Sequence, residues 1–247
     1  MGFFSKLFSS DDDEPSESQL RRAIKQVTQI HGEAANRVGA MERLALWRTP
    51  ESAAALLRRF TVQTPQAGMD LEEKQYAVRL LTEMGEIAVN PIITWLKTAP
   101  DVAHPVRALK NICSPEKYHS VLEEVLKALS SGYTRWPEAK AELLACLEDE
   151  AFQQVGETVF YFLDDDNDDV CIAAADYLVR NGAETAREKL IQIYLAADGR
   201  PRVRGRILDH FSERGWSVKA NKKEVEAVIF PPFYLTAKGI VKRRGQN

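Results

Sequence analysis

The sequence predicts an all-α fold, an α-solenoid of about six stacked helix pairs. Three observations predict it. Apolar residues recur at helical spacing from residue 18 to about residue 230. The helical stretches come in pairs: a helix with a small or aliphatic stripe, a turn rich in Gly, Pro or Ser, then a second amphipathic helix. Equivalent first-helix positions, Leu44, Leu81, Ile112, Leu144, Leu178 and Leu208, are spaced 37, 31, 32, 34 and 30 residues apart, a mean of about 33. One pair cannot bury both of its apolar faces, so a repeat of this period requires each pair to stack on the next.

The elements follow in order. Leu20, Ile24, Val27 and Ile30 form the stripe of an opening helix. The first pair runs Arg37–Trp47, turns at Thr49-Pro50 and continues through Leu56, Leu57 and Phe60. The second runs Glu72–Met84, turns at Gly85-Glu86 and continues through Val89, Ile92, Ile93 and Leu96. His104–Cys113, the turn Ser114-Pro115, and Tyr118, Leu122, Val125 and Leu129 make the third. Pro137–Leu147 pairs with the helix of Phe152, Val155, Val159 and Phe162. Asp169–Arg180 stops at Asn181-Gly182, where Gly accepts a left-handed backbone, and pairs with Ala186, Leu190, Ile193 and Tyr194. Arg202–Phe211 turns near Gly215 and pairs with Val225, Val228 and Ile229. Thr49-Pro50-Glu51 and Ser114-Pro115-Glu116 share one logic: the hydroxyl caps the helix, Pro suits the first turn and Glu favours the positive end of the dipole.

The two ends differ from the repeats. Phe3, Phe4, Leu7 and Phe8 fall on one face of a short helix within residues 1–17, ahead of an acidic run, Asp11-Asp12-Asp13-Glu14, expected to be disordered. Such a start suits a weak peripheral anchor on a membrane surface, a partner groove, or a terminus folded back on the body. Residues 231–247 form a basic tail, in which Tyr234–Lys242 suits a small hairpin turning at Lys238-Gly239 and Lys242-Arg243-Arg244 is expected to trail into solvent.

Composition bounds the rest. The chain has 247 residues, 45% hydrophobic and 28% charged, enough to bury a sizeable core. No apolar run approaches the length of a membrane span, and no secretory signal or myristoylation pattern is present, so the expected location is cytoplasmic. Cys113, Cys146 and Cys171 sit in helical stripes, where buried reduced thiols are expected. Net charge is −3 overall, but residues 199–247 hold twelve Lys and Arg against four Asp and Glu, a net of +8 that leaves −11 on the remainder. An acidic body with a basic end points to the charge of a partner rather than to the fold.

The segments EEKQYAVRLLTEMGEIAVNPIITWLK and DDVCIAAADYLVRNGAETAREKLIQIY resemble short bacterial HEAT repeats of the phycobilisome-lyase type. The resemblance covers residues 36–230 and is specific at those two segments. It implies a right-handed, armadillo-like superhelix whose second helices line a concave face and bind other proteins. It does not fix one activity.

Local motifs for chemistry are few. Deoxyhypusine hydroxylase, another HEAT-repeat protein, binds iron through His-Glu pairs, but none of His31, His104, His119 and His210 is followed by Glu. These histidines are expected at exposed or capping positions. Asp164–Asp169 invites an EF-hand register from Asp165, but Val170 stands where the turn needs Gly, and a loop whose last carboxylate caps the next helix fits better. Arg200-Pro201-Arg202-Val203-Arg204-Gly205-Arg206 is the densest basic run, reinforced by Lys219, Lys222 and Lys223. Trp47, Trp95, Trp136 and Trp216 stand near helix ends, where core between repeats is expected. No catalytic residue, metal or cofactor is expected.

The leading expectation is a non-enzymatic scaffold that docks a protein on its concave second-helix face, with the basic C-terminal end steering an acidic partner; the candidate contacts are Arg58, Arg59, Lys97, Arg187, Arg202 and Arg206. The alternatives are nucleic-acid binding through the last repeat and tail, and a phycobilisome-lyase-like enzyme.

Overall fold

A computed structural model describes residues 14–130, 134–182 and 184–245. Phe3, Phe4, Leu7 and Phe8 lie outside the described residues. Among the described residues the fold is all-helical apart from one two-stranded sheet. No helix among the described residues is long and apolar enough to cross a membrane. The chain divides into two compact units, Met1–Tyr118 and His119–Asn247.

The first unit opens with α1 (Glu17–Val27), held by a capping box in which the Ser16 hydroxyl and the Gln19 side chain each satisfy the other's backbone N–H. Ile30 falls beyond α1 and is exposed, so the opening stripe ends at Val27. Then come α2 (Ala34–Trp47), α3 (Pro50–Leu57), α4 (Ala67–Met84), α5 (Val89–Thr98) and α6 (Ala103–Ile112). Thr49 caps α3 with Pro50 in its first turn, and Gly85 ends α4 at φ 65°. First helices stack on first helices, α2 on α4 and α4 on α6, while α3 packs on α5. Leu44, Leu56, Leu81 and Ile92 are buried between them.

One buried charge cluster ties this unit together. Arg37 forks onto Glu73 through Nε (2.8 Å) and Nη2 (2.7 Å). Arg59 reaches Glu73 at 3.1 Å and Asp70 at 2.6 Å. Lys74 completes Asp70 at 3.0 Å, and the backbone N–H of Thr64 donates to the same carboxylate at 2.9 Å. Burial alone would raise the Asp70 pKa, but the hydrogen bonds from Arg59, Thr64 and Lys74 outweigh it and hold the carboxyl at about 2. Glu73 is held below its ordinary value in the same way by Arg37 and Arg59.

The second unit contains most of α7 (Pro115–Ser130), then α8 (Pro137–Ala145), α9 (Phe152–Val159), α10 (Asp168–Arg180), α11 (Ala186–Ala196), α12 (Pro201–Arg214) and α13 (Lys222–Val228). Helix α10 packs between α8 and α12. Its cap is Asn167, whose side-chain oxygen accepts from the N–H groups of Asp169 and Val170, rather than an aspartate of the acidic run. Strands β1 (Phe233–Leu235) and β2 (Val241–Arg243) pair antiparallel, with Tyr234 opposite Lys242. Phe233 and Val241 are buried, and β2 packs on α12.

Polar contacts repeat at the sequence period. Tyr76 meets Glu42 across 34 residues and Arg37 meets Glu73 across 36. In the second unit Arg180 meets Asp149 across 31, and Trp216 meets Glu184 across 32. These separations match the mean spacing of about 33, as they must when successive helix pairs are neighbours in space.

Candidate functional site

The two charge runs that stand out in the sequence are each other's partners. Nε of Arg200 is 2.7 Å from Oδ1 of Asp168, and its Nη2 donates to the Asp165 carbonyl at 3.1 Å. Arg202 pairs with Asp169. Arg204 donates to the Tyr194 carbonyl at 3.0 Å and lies 3.6 Å from Asp198. Nε of Arg206 is 2.7 Å from Asp176. Within the acidic run Asp165 also takes Lys140 at 3.0 Å, and Asp164 takes Lys189 at 2.6 Å. The carboxylates of a calcium register are thus engaged by cations from neighbouring helices.

His210 departs from expectation. It is buried rather than exposed or capping, because α12 turns it inward one turn after Arg206. Its Nε2 stands 2.7 Å from the Asp176 oxygen that Arg206 also contacts. An ionised carboxylate only accepts, so Nε2 carries the proton, and Nδ1 is buried without a partner. Burial raises the Asp176 pKa, but the hydrogen bonds of His210 and Arg206 more than reverse this, and the carboxyl titrates below its ordinary range.

The predicted partner contacts are scattered. Arg58 is exposed, but its neighbour Arg59 is fully buried. Arg59 is therefore withdrawn as a contact, since both of its acidic partners lie inside the fold. Lys97 is half-buried on α5 and Arg187 half-buried on α11. Arg202 and Arg206 lie one turn apart on α12, each engaged internally. In the first unit Arg58 directly follows the end of α3 and Lys97 lies on α5, the helix that α3 packs on.

The basic surface lies further along the chain. Of the twelve cations after Gly199, Arg214 donates to the last carbonyls of α10 at Val179 and Arg180, and Arg243 pairs with Asp209 at 2.9 Å. Lys222 donates to the Ala237 carbonyl at 3.3 Å. Lys219, Lys223, Lys238, Lys242 and Arg244 are exposed and make no ion pair among the described residues. The hairpin collects four of them, Lys223 lying on α13. Gly239, at φ 73°, sits so close to Lys219 that a Cβ would meet its Cα at 3.1 Å, which sets the Lys238 turn beside Lys219. Strand alternation turns Tyr234, Lys242 and Arg244 to one face, with the Arg244 guanidinium 6.0 Å from the Tyr234 ring centre. Lys242-Arg243-Arg244 does not trail into solvent: Arg243 is in β2, and the Arg244 N–H donates to the Pro232 carbonyl at 2.9 Å.

The signal for this face was the alternation Phe233-Tyr234-Leu235 and Val241-Lys242-Arg243 around a glycine turn, weaker than the crowded arginines upstream. The tryptophans divide: Trp95 and Trp216 are buried, Trp47 and Trp136 half-buried. Cys171 is buried, and its thiol is pushed up to about 11 by that burial; Cys113 and Cys146 are half-buried.

Comparison with protein-family models, with curated proteins and with solved structures returned no match.

Proposed function

We propose that this chain is a non-enzymatic interaction scaffold of HEAT-type helix repeats, and that its basic C-terminal face receives an acidic segment of a protein partner. The observation that carries the reading is the contrast in the second unit. The arginines at 200, 202 and 206 pair internally with aspartates, whereas Lys219, Lys238, Lys242 and Arg244 around the hairpin, and Lys223 on α13, are exposed and make no ion pair among the described residues. Unpaired exposed cations raise the encounter rate with an anionic partner and add specificity more than affinity. The repeat assignment is supported by the polar contacts recurring at 30 to 36 residues.

A nucleic-acid reading has one observation in its favour, the aromatic ring of Tyr234 between Lys242 and Arg244. Stacking a base on such a ring contributes about 1–3 kcal/mol. One experiment separates the two. A fluorescently labelled oligo-glutamate peptide and a labelled single-stranded oligonucleotide are titrated with the full chain and with a variant carrying Lys219→Glu, Lys238→Glu, Lys242→Glu and Arg244→Glu. The protein reading expects saturable peptide binding that weakens with salt and is lost in the variant. Preferential oligonucleotide binding that Tyr234→Ala also weakens favours the other reading, and no difference between chain and variant removes both.

A further inference from the structure

A second surface, in the first unit, is independent of the basic face. The last turn of α2 is flanked by two hollows. One, of about 350 Å³, is lined by Ala45, Leu46, Leu80 and Met84 and rimmed by Glu42, Glu83 and Arg48, whose guanidinium donates to the Glu83 and Met84 carbonyls. Leu46 is 63% exposed there, the most exposed aliphatic side chain of the described core helices. The other hollow separates α1 from α2 and carries Arg22 and Arg43.

The geometry points to an occupant from the same chain: residues 3–8, with Phe3, Phe4, Leu7 and Phe8 filling the Leu46–Leu80 groove. Helices α1 and α2 are antiparallel neighbours, since Gln19 lines the same hollow as Trp47, and Gln26 accepts from Arg43 at 2.6 Å. The chain therefore enters α1 beside the end of α2, next to the groove. Residues 9–15 can span about 23 Å when extended, and packed helices lie only about 8–10 Å apart, so the apolar residues reach it with chain to spare. Charge matches along the path. Asp11, Asp12 and Asp13 would pass the hollow of Arg22 and Arg43, and Lys6 would meet the rim of Glu42 and Glu83. The segment is apolar around a single Lys and then acidic, and the surface is apolar with two carboxylates and Arg48 on its rim and then basic.

The test uses the full chain with Phe4 replaced by p-benzoylphenylalanine, irradiated in dilute solution and mapped by mass spectrometry. A second chain carries the photoreactive residue at Leu7, so that one perturbed position cannot decide the result. Adducts within a single chain at residues 42–48 and 80–84 are expected. They should fall about tenfold in Leu46→Glu, the effect of losing one good apolar contact, while the melting temperature of that exposed-site variant stays unchanged. Adducts scattered over the surface, adducts only between chains, adducts unaffected by Leu46→Glu, or adducts formed only with lipid when anionic phosphatidylglycerol vesicles are added would each overturn the proposal.

Discussion

Arg200 and Asp168 stand 32 residues apart in sequence, with Nε and Oδ1 2.7 Å apart in space. The pair joins α12 to α10, so it couples the stacking of one helix pair to the next. Both side chains are about a quarter exposed, and a pair so placed contributes modestly, about 0.5–1 kcal/mol. A double-mutant cycle of Arg200→Ala and Asp168→Ala, read by urea unfolding, should return a coupling of that size. Millimolar calcium should leave the melting temperature unmoved, because the aspartates already have cations.

Arg58 and Arg59 should respond in opposite ways. Arg59→Ala takes one of two cations from each of the buried carboxylates Asp70 and Glu73, which keep Lys74 and Arg37, and costs about 3 kcal/mol, the low end for a broken buried pair. Arg58→Ala removes an exposed side chain and should stay within about 0.5 kcal/mol. Equilibrium urea unfolding of the two variants checks this, and equal losses would contradict the buried network.

The same cluster sets an acid limit. The Asp70 pKa is lowered from 3.8 to about 2, so the folded state binds the proton more weakly than the unfolded chain. Its contribution is complete above the unfolded pKa and is lost as pH falls through the folded one. Asp70 alone should remove about 2 kcal/mol of stability between pH 5 and pH 2. Glu73, shifted in the same direction, adds to the loss. Urea midpoints measured across that window should fall steeply, and Arg59→Met should flatten the slope.

Gly239 is a position where one methyl matters. Its φ of 73° is unfavourable for any L side chain, and the added Cβ would press on the Lys219 backbone. Gly239→Ala should cost about 1–3 kcal/mol locally, seen as faster proteolysis within residues 230–245 while the far-ultraviolet helix signal stays intact.

Helices α1, α4, α10 and α12 were legible because each is an amphipathic stripe with a side-chain cap or a glycine stop, at Ser16, Gly85, Asn167 and Gly215. Expected and observed bounds differ by a few residues, as at Glu72 against Ala67 for α4. The short 3-10 segments after α3 and α9, Arg58–Thr61 and Phe160–Asp164, were not legible, since their i to i+3 bonding leaves no distinct periodicity. Charge in the second unit was legible as composition but not as pairing. Which arginine meets which aspartate depends on stacking some 30 residues away, beyond any local window. Arg59 did carry a local clue: it follows Leu56 by three residues and precedes Phe60, on the buried stripe.

The strand pair also limits how a molecule of this kind can be lengthened. Val241 is fully buried, and with Val218 and Val225 it closes off an apolar hollow of about 10 Å³ against Ile207 and Phe211. A helix pair inserted before α12 would meet the apolar neighbours it needs. One appended after α13 would find that place already plugged by the hairpin, so duplication can extend this unit from within but not at its C-terminal edge.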